Sequence, residues 1–343
     1  MRVPYAELHA ALHQAILTLG ITDTPEADRA ALCARLFAET TRDGVYTHGL
    51  NRFPRFAAMV RNGSIDVHAT STRTAGMGAL EKWDGHHGVG NLNAHAATLR
   101  AIALARQHGI GCVALGNTSH WMRGGTYGWM AADSGLFCIC WSNTLPNVPA
   151  WGATSPSIGN NPIIFAAPRT DAIGQPAHVV IDMAASQFSY GTLASYSKRN
   201  QPLPVPGGYD TSGNLTTNAA EIEATQRALP VGYWKGSGLA ILTDMFAAML
   251  SGGKATHDFG MEPLREVGQS QIFLVIDPSS VASAAELNRI ADGIIDSLRH
   301  ATPEDPAKSI RYPGEQTLHL RAENTRLGVP VDDDVWQQLL AFA

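Results

Sequence analysis

Between residues 136 and 183 the chain alternates apolar runs with connections that cannot be helices, and this spacing limits its sheet more than any other feature. Leu136–Trp141, Pro162–Ala167 and His178–Met183 read as strands, and Gly111–Leu115 reads as another before them. The stretches joining the last three are rich in Pro, Gly, Asn and Ser and carry no helical period. Parallel neighbours need a crossover of about a dozen residues or more, usually an α-helix. A mixed, largely antiparallel sheet is therefore expected, within an α+β fold rather than a doubly wound parallel one.

Both ends of the chain carry helical periods. Leu8, Leu12, Ile16 and Leu19 recur at helical spacing, and Gly20 supplies a stop. Thr24-Pro25-Glu26 reads as an N-cap, a proline at the first helical position and an early acid, opening a second helix that runs toward Gly44. A third helix starts after Arg52, tolerates Pro54 in its first turn and ends at Asn62-Gly63. Further helices are expected over 92–107, 127–133, 237–250 and 284–299, with a strand over 270–276 and two short helices at the end. Residues 191–230 show no clean period and read as a long loop, functional or pinned at an interface. The terminal helices are expected to pack together. That makes a discontinuous helical domain (1–75 plus 310–343) beside a sheet-containing, cofactor-binding domain (76–309).

Bulk properties narrow the function. A net charge of −5 with no Lys/Arg block argues against a nucleic-acid partner. No apolar run approaches a membrane span, and the N-terminus lacks an apolar signal core. Four cysteines are too few and too irregular for a disulfide framework. Cys138 and Cys140 read as buried reduced thiols on opposite faces of one strand, and a cytoplasmic protein fits all of this. No zinc spacing stands out, so no metal site is expected. There is no G-x-S-x-G elbow. There is also no G-x-G-x-x-G opening a βαβ unit: Gly76-Met77-Gly78 lacks the third glycine and runs into a strand.

The chemistry concentrates in Val45-Tyr46-Thr47-His48-Gly49-Leu50-Asn51-Arg52, at a junction between two helical patterns. His48 titrates near neutrality unless perturbed, and Arg52 offers a planar fork for a carboxylate. Reduction of a small keto acid needs both a proton donor at the carbonyl oxygen and a grip on the acid. The bland alternative is a polar helix-connecting loop. His120 sits in a second dense polar loop, Asn117-Thr118-Ser119-His120, after a strand. Trp234-Lys235-Gly236-Ser237-Gly238 joins a cation and glycines to a helix N-terminus, which suits an anion or simply caps the helix. His178-Val179-Val180-Ile181-Asp182-Met183-Ala184 is an apolar strand ending in an acid. Asp182 either caps the following turn or orients an imidazole. Asn161 is a weaker candidate, and Gly44, Gly49, Gly124, Gly125 and Gly128 suggest close backbone approach or, equally, tight turns.

Tyr-Thr-His-Gly-Leu-Asn-Arg-Phe-Pro-Arg-Phe (46–56) resembles the signature of the malate/L-lactate dehydrogenase-type oxidoreductases, a family distinct from the Rossmann-fold enzymes of similar name. Residues 116–125 (Gly-Asn-Thr-Ser-His-Trp-Met-Arg-Gly-Gly), 158–162 (Ile-Gly-Asn-Asn-Pro) and 232–238 (Gly-Tyr-Trp-Lys-Gly-Ser-Gly) agree in the same order. The resemblance runs over nearly the whole chain. It implies a non-Rossmann NAD(P)-binding fold and hydride transfer between a nicotinamide and a small 2-keto or 2-hydroxy acid, in the first place 2,3-diketo-L-gulonate giving 3-dehydro-L-gulonate. It implies His48 as proton donor, His120 as a second active-site imidazole with the acid/base role in some relatives, Arg52 on the substrate carboxylate and Thr47 on substrate or imidazole. It implies cofactor contacts at His178, Val179, Val180, Ile181, Asp182, Met183 and Ala184, at Trp234 and Lys235, and at Gly314, Glu315 and Gln316. NADH is the expected cofactor. NADPH stays open because Lys198 and Arg199 could meet a 2′-phosphate. A homodimer is expected, with no nucleic acid and no membrane. The alternatives are another activity of the family, on malate, lactate, ureidoglycolate or a cyclic imino acid, or a binding protein without catalysis.

Overall fold

The computed structural model describes residues 1–343 except Pro25, Glu26 and Ala343. The chain opens with β1 (Arg2–Val3), α1 (Tyr5–Thr18), α2 (Arg29–Arg42) and α3 (Phe53–Arg61). α1 buries Leu8, Leu12, Ala15 and Ile16, one face of the helix. In α3, Pro54 sits in the first turn, where its missing N–H leaves no helical bond unmade. Phe37, Phe53 and Phe56 meet with ring centroids 5.7, 5.4 and 6.0 Å apart. α2 starts later than the sequence suggests. Asp23 reaches forward, and its Oδ1 accepts the N–H groups of Ala30 and Ala31 at 2.7 and 3.1 Å. That carboxylate does the work expected of Thr24, while Pro25 and Glu26 lie outside the described residues.

Next come β2 (Thr72–Met77), β3 (Leu80–Asp84), α4 (Gly90–His108), β4 (Ile110–Ser119), α5 (Gly125–Asp133) and β5 (Phe137–Ser142). A small ribbon, β6 (Val148–Pro149) with β7 (Pro156–Ile158), precedes β8 (Ile163–Ala167) and β9 (Val179–Met183). Then follow α6 (Tyr190–Lys198), β10 (Gly208–Tyr209), β11 (Leu215–Thr216), α7 (Ala219–Thr225), α8 (Trp234–Ser251), β12 (Val267–Ile276) and α9 (Ala284–Arg299). The chain ends with α10 (Glu315–Leu327), β13 (Val329–Pro330) and α11 (Asp333–Leu340).

The main sheet has the order β2-β3-β4-β12-β5-β8-β9. Every neighbouring pair is antiparallel except β3–β4. That pair is joined through α4, the crossover that parallel strands require. The expected mixed, largely antiparallel sheet is therefore the one observed. α4 lies close on the sheet because it presents Ala94, Ala97, Ala101 and Ala105 to it.

α1, α2, α3 and α11 share one core with β13, so the two ends of the chain do meet. β1 pairs with β13. A second core fills the space between α4, α5 and the sheet. The boundary expected between residues 75 and 76 falls inside β2, whose partner is β3. Two expectations need correction. Cys138 and Cys140 do not point apart: residues i and i+2 of a strand share a face, and both thiols enter the same core. Residues 191–230 are not a structureless loop. They form most of α6, then β10, β11 and α7, held by their own cluster of Leu193, Leu203, Ala219, Ile222 and Ala228. These elements are too short to leave a period in the sequence.

Candidate active site

His48 and Arg52 come together through two successive 3₁₀ turns, Tyr46–His48 and Leu50–Arg52, hinged at Gly49. The hinge is anchored on α2. Leu50 is fully buried, and its N–H donates to Thr41 Oγ1 at 2.8 Å. A Cβ on Gly49 would collide with that same Thr41 hydroxyl, so only glycine lets the turn sit so close. His120 follows the end of β4. The two half-buried imidazoles stack with centroids 5.9 Å apart and planes 24° from parallel.

The rings differ in what holds their Nδ1 atoms. His120 Nδ1 accepts the N–H of Met122 at 3.0 Å. A backbone N–H can only donate, so His120 is pinned as the tautomer protonated on Nε2. A second proton on Nδ1 would set two donors against each other. His48 Nδ1 instead faces Thr47 Oγ1 at 3.0 Å. A hydroxyl donates to the neutral ring and accepts from the charged one, so His48 can change charge without losing its partner. Burial first, then Arg52 and Arg123, hold the pKa of His48 down to about 4. Burial, Arg52 and His48 hold His120 well below the ordinary imidazole value.

Two lobes meet at this pair. The smaller, about 270 Å³, is bounded by His48, His120, Arg52, Arg55, Asn147 and Glu266, with Thr144 and Asn160 on its wall. Arg52 has no hydrogen-bond acceptor for its guanidinium among the described residues, and its closest carboxylate oxygen, Glu266 Oε2, is 3.9 Å away. Burial and the neighbouring Arg55 lower its pKa to about 10, against the pull of Glu266.

The larger lobe, about 630 Å³, runs from the histidines along β9 to the entrance of α10. Val180, Ile181, Asp182 and Ala184 line it, together with Gly314. The Val180 N–H donates to Pro313 O at 3.0 Å, which stitches these distant segments together. A Cβ on Gly314 would press on Val180 N at 3.1 Å, so the glycine keeps this wall smooth. The volume and the mixed polar and apolar lining fit a dinucleotide. α6 closes the lobe from the other side, where Gly191 packs on the Thr47 side chain.

Asp182 orients no imidazole. Its Oδ2 accepts the Gly125 N–H at 2.8 Å and caps α5, and burial raises its pKa. His178 does not line the lobe: its Nδ1 accepts from the Arg169 N–H, and its Nε2 meets Asp133 Oδ1, both at 3.0 Å. Val179 and Met183 also lie off the lining. Trp234 and Lys235 start α8, just past the end of β9, where Val231 N–H donates to Ala185 O. Both are exposed and stand outside the cleft walls. Glu315 is paired with Arg299 at 2.7 Å, and Gln316 accepts from Arg311. Asn161 is fully buried as a bracket, accepting from Thr144 N–H and donating to Ala240 O. Sequence reasoning missed Arg55, Thr144, Asn147, Asn160 and Glu266. Arg55 and Asn160 left a signal, because Arg55 lies in the same block as His48 and Arg52 and Asn160 lies in the Ile-Gly-Asn-Asn-Pro block beside Asn161.

The pattern of the family described as malate/L-lactate dehydrogenase matches residues 3–340. The chain is 42% identical over 342 residues to the 2,3-diketo-L-gulonate reductases of Escherichia coli O17:K52:H18 (strain UMN026 / ExPEC) and Klebsiella pneumoniae (strain 342), covering 100% of each chain in both cases. Its fold is similar to the crystal structure of delta1-piperideine-2-carboxylate reductase from Pseudomonas syringae pvar. tomato, with a TM-score of 0.87, 27% identity and 100% of both chains covered.

Proposed function

Since the chain belongs to the malate/L-lactate dehydrogenase family and is an oxidoreductase of that type, we propose that it uses NADH to reduce a small 2-keto acid, namely 2,3-diketo-L-gulonate to 3-dehydro-L-gulonate. Relatives identical at 42% carry that substrate in their names. The observation that carries the reading is Arg52, a guanidinium without an acceptor beside a stacked histidine pair in a lobe of about 270 Å³. Such a cation is made for a carboxylate. The Thr144, Asn147 and Asn160 side chains on the same wall suit the hydroxyl groups of a sugar acid.

In this reading Arg52 fixes the carboxylate so that the neighbouring carbonyl lies against His48. His48 gives the proton to the developing alkoxide from Nε2, while Thr47 Oγ1 accepts from Nδ1–H before transfer and donates to Nδ1 after it. His120, pinned neutral, offers its Nε2–H as a second hydrogen bond. A bound nicotinamide supplies the hydride. Val180, Ile181, Asp182, Ala184 and Gly314 would line it, and Trp234 and Lys235, outside the cleft walls, would meet only its outer part. General acid catalysis of this kind is typically worth about 10²–10⁴-fold.

The functional unit in this proposal is a homodimer. α8 exposes Ile241, Leu242, Met245, Phe246, Met249 and Leu250 along one side, and a continuous apolar stripe of that kind is normally covered. Four unpaired cysteines suit a reducing compartment such as the cytoplasm.

The test is NADH consumption with 2,3-diketo-L-gulonate, pyruvate, oxaloacetate and Δ1-piperideine-2-carboxylate, repeated with NADPH. The diketo acid should turn over fastest, and Arg52→Lys should raise its KM far more than it lowers kcat. Turnover of the cyclic imino acid alone would replace the substrate. No turnover of any member despite NADH binding would refute the reductase reading, and an unchanged KM in Arg52→Lys would remove the clamp.

A further inference from the structure

Arg52 is not the only cation in the smaller lobe. Arg55, one turn on in α3, lines it too, and Glu266 stands between the two. Glu266 is only 5% exposed. Its Oε2 accepts from Arg55 Nη2 at 2.8 Å and stays 3.9 Å from Arg52. Its Oε1 accepts from Gln269 Nε2 at 3.0 Å and from the Leu145 N–H at 3.3 Å. Arg55 also donates to Pro263 O at 2.6 Å. Arg55 Nη2 is therefore engaged by Glu266 and Pro263, whereas Arg52 makes no such hydrogen bond among the described residues.

In the free enzyme, with both histidines neutral, two guanidiniums and one carboxylate leave the lobe with a single unit of uncompensated positive charge. One substrate carboxylate, seated on Arg52, balances it. A second carboxylate on the same small molecule would find the charge of Arg55 already neutralised by Glu266 at 2.8 Å and would face the charge of Glu266 in a partly desolvated space, where like charges repel strongly. A neutral hydroxylated tail meets no such penalty, because Thr144, Asn147 and Asn160 supply donors and acceptors without net charge.

We infer that Glu266 is a specificity-determining residue that restricts the lobe to keto acids with one carboxylate and a neutral, hydrogen-bonding tail. This rests on the reading of Arg52 as the carboxylate clamp of a keto-acid reductase.

Chain-length-matched pairs test it: kcat/KM for 2-oxobutyrate against oxaloacetate, and for 2-oxovalerate against 2-oxoglutarate, each with NADH. The enzymes are wild type, Glu266→Gln and Arg55→Gln, with thermal melts to establish folding. Wild type should favour the single-carboxylate member of each pair. Glu266→Gln, which keeps the shape and removes the charge, should narrow that preference by roughly tenfold or more. Arg55→Gln, which removes the cation nearest Glu266, should widen it. These opposite directions cannot come from general damage to the fold, and the Arg55→Gln and wild-type arms decide the matter should Glu266→Gln not fold. A wild type that prefers the dicarboxylates, or a folded Glu266→Gln with an unchanged preference, would overturn the inference and leave the reductase reading standing. A wild type that reduces no keto acid at all would overturn both.

Discussion

His48 is the acid of the proposed reduction, yet its surroundings oppose the charge it must carry. With a pKa of about 4, roughly one free molecule in a thousand carries that proton at pH 7. An ordinary imidazole would be charged in about one molecule in four. The gap of about 2.5 pH units between 6.5 and about 4 corresponds to roughly 3 kcal/mol. A substrate carboxylate on Arg52 brings negative charge to the same lobe and returns part of this. The sign follows directly. A depressed histidine pKa leaves the neutral form dominant above about pH 4, so the step that needs the cation weakens as pH rises. In the reduction direction kcat/KM, which follows the free enzyme, should fall toward tenfold per unit from about pH 5 to about pH 8. The kcat profile, which follows the complex, should break at a higher pH. In the oxidation direction neutral His48 takes the proton, so kcat/KM should be level above about pH 5 and drop only in stronger acid.

The assay is a pair of pH profiles at constant ionic strength, in both directions, for wild type and Arg52→Met. Burial is the larger cause of the depression and Arg52 the next, so Arg52→Met should move the break upward without restoring the ordinary value. His120→Asn should keep the break, because that ring is pinned by the Met122 N–H. Thr47→Val should move it to lower pH, because the charged His48 ring would lose its acceptor. A reduction kcat/KM that stays level from about pH 5 to about pH 8 would refute His48 as the proton source. A break that His120→Asn abolishes would hand the role to His120.

Two further outcomes are expected. Asp43, 3% exposed, accepts from Arg321 at 2.9 and 2.7 Å and from Arg123 at 2.8 Å, with Arg42 beside it. Burial works against its ionisation, but Arg321, Arg123 and Arg42 outweigh it and lower the pKa to about 2. Its ionisation therefore stabilises the fold by about 2 kcal/mol above the ordinary carboxylate range and is lost as pH falls through about 2. Asp43→Ala leaves the three cations uncompensated and should cost roughly 3–5 kcal/mol in urea unfolding at neutral pH; a loss under about 1 kcal/mol would mean the arginines find water instead. Phe246→Asp with Met249→Asp on the exposed side of α8 should convert a dimer to a monomer in sedimentation, and a monomeric wild type at micromolar concentration would exclude the α8 dimer.

What could be read in advance divides by distance along the chain. His48, Arg52 and Arg55 share one short block, so their convergence needs only a double turn anchored on Thr41, and a local pattern can announce that. The antiparallel neighbours after β5 were likewise legible, because connection length restricts how strands pair, whereas the parallel β3–β4 pair joined through α4 was not read in advance. Glu266 was not legible. It matters only because β12, far along the chain, inserts between β4 and β5 and brings its entry residue beside α3. No period or spacing near residue 266 records that insertion. The wall of the larger lobe has the same origin, with Gly314 meeting Val180 through one backbone bond between distant segments. The charge that sets acceptance of a substrate thus sits on the residue the local pattern could not reveal. The two histidines show the same division at the scale of single atoms. Both were candidates by residue type, yet they differ in what faces Nδ1, a backbone N–H for one and a hydroxyl for the other. That difference decides which ring can take up a proton, and only the folded arrangement contains it.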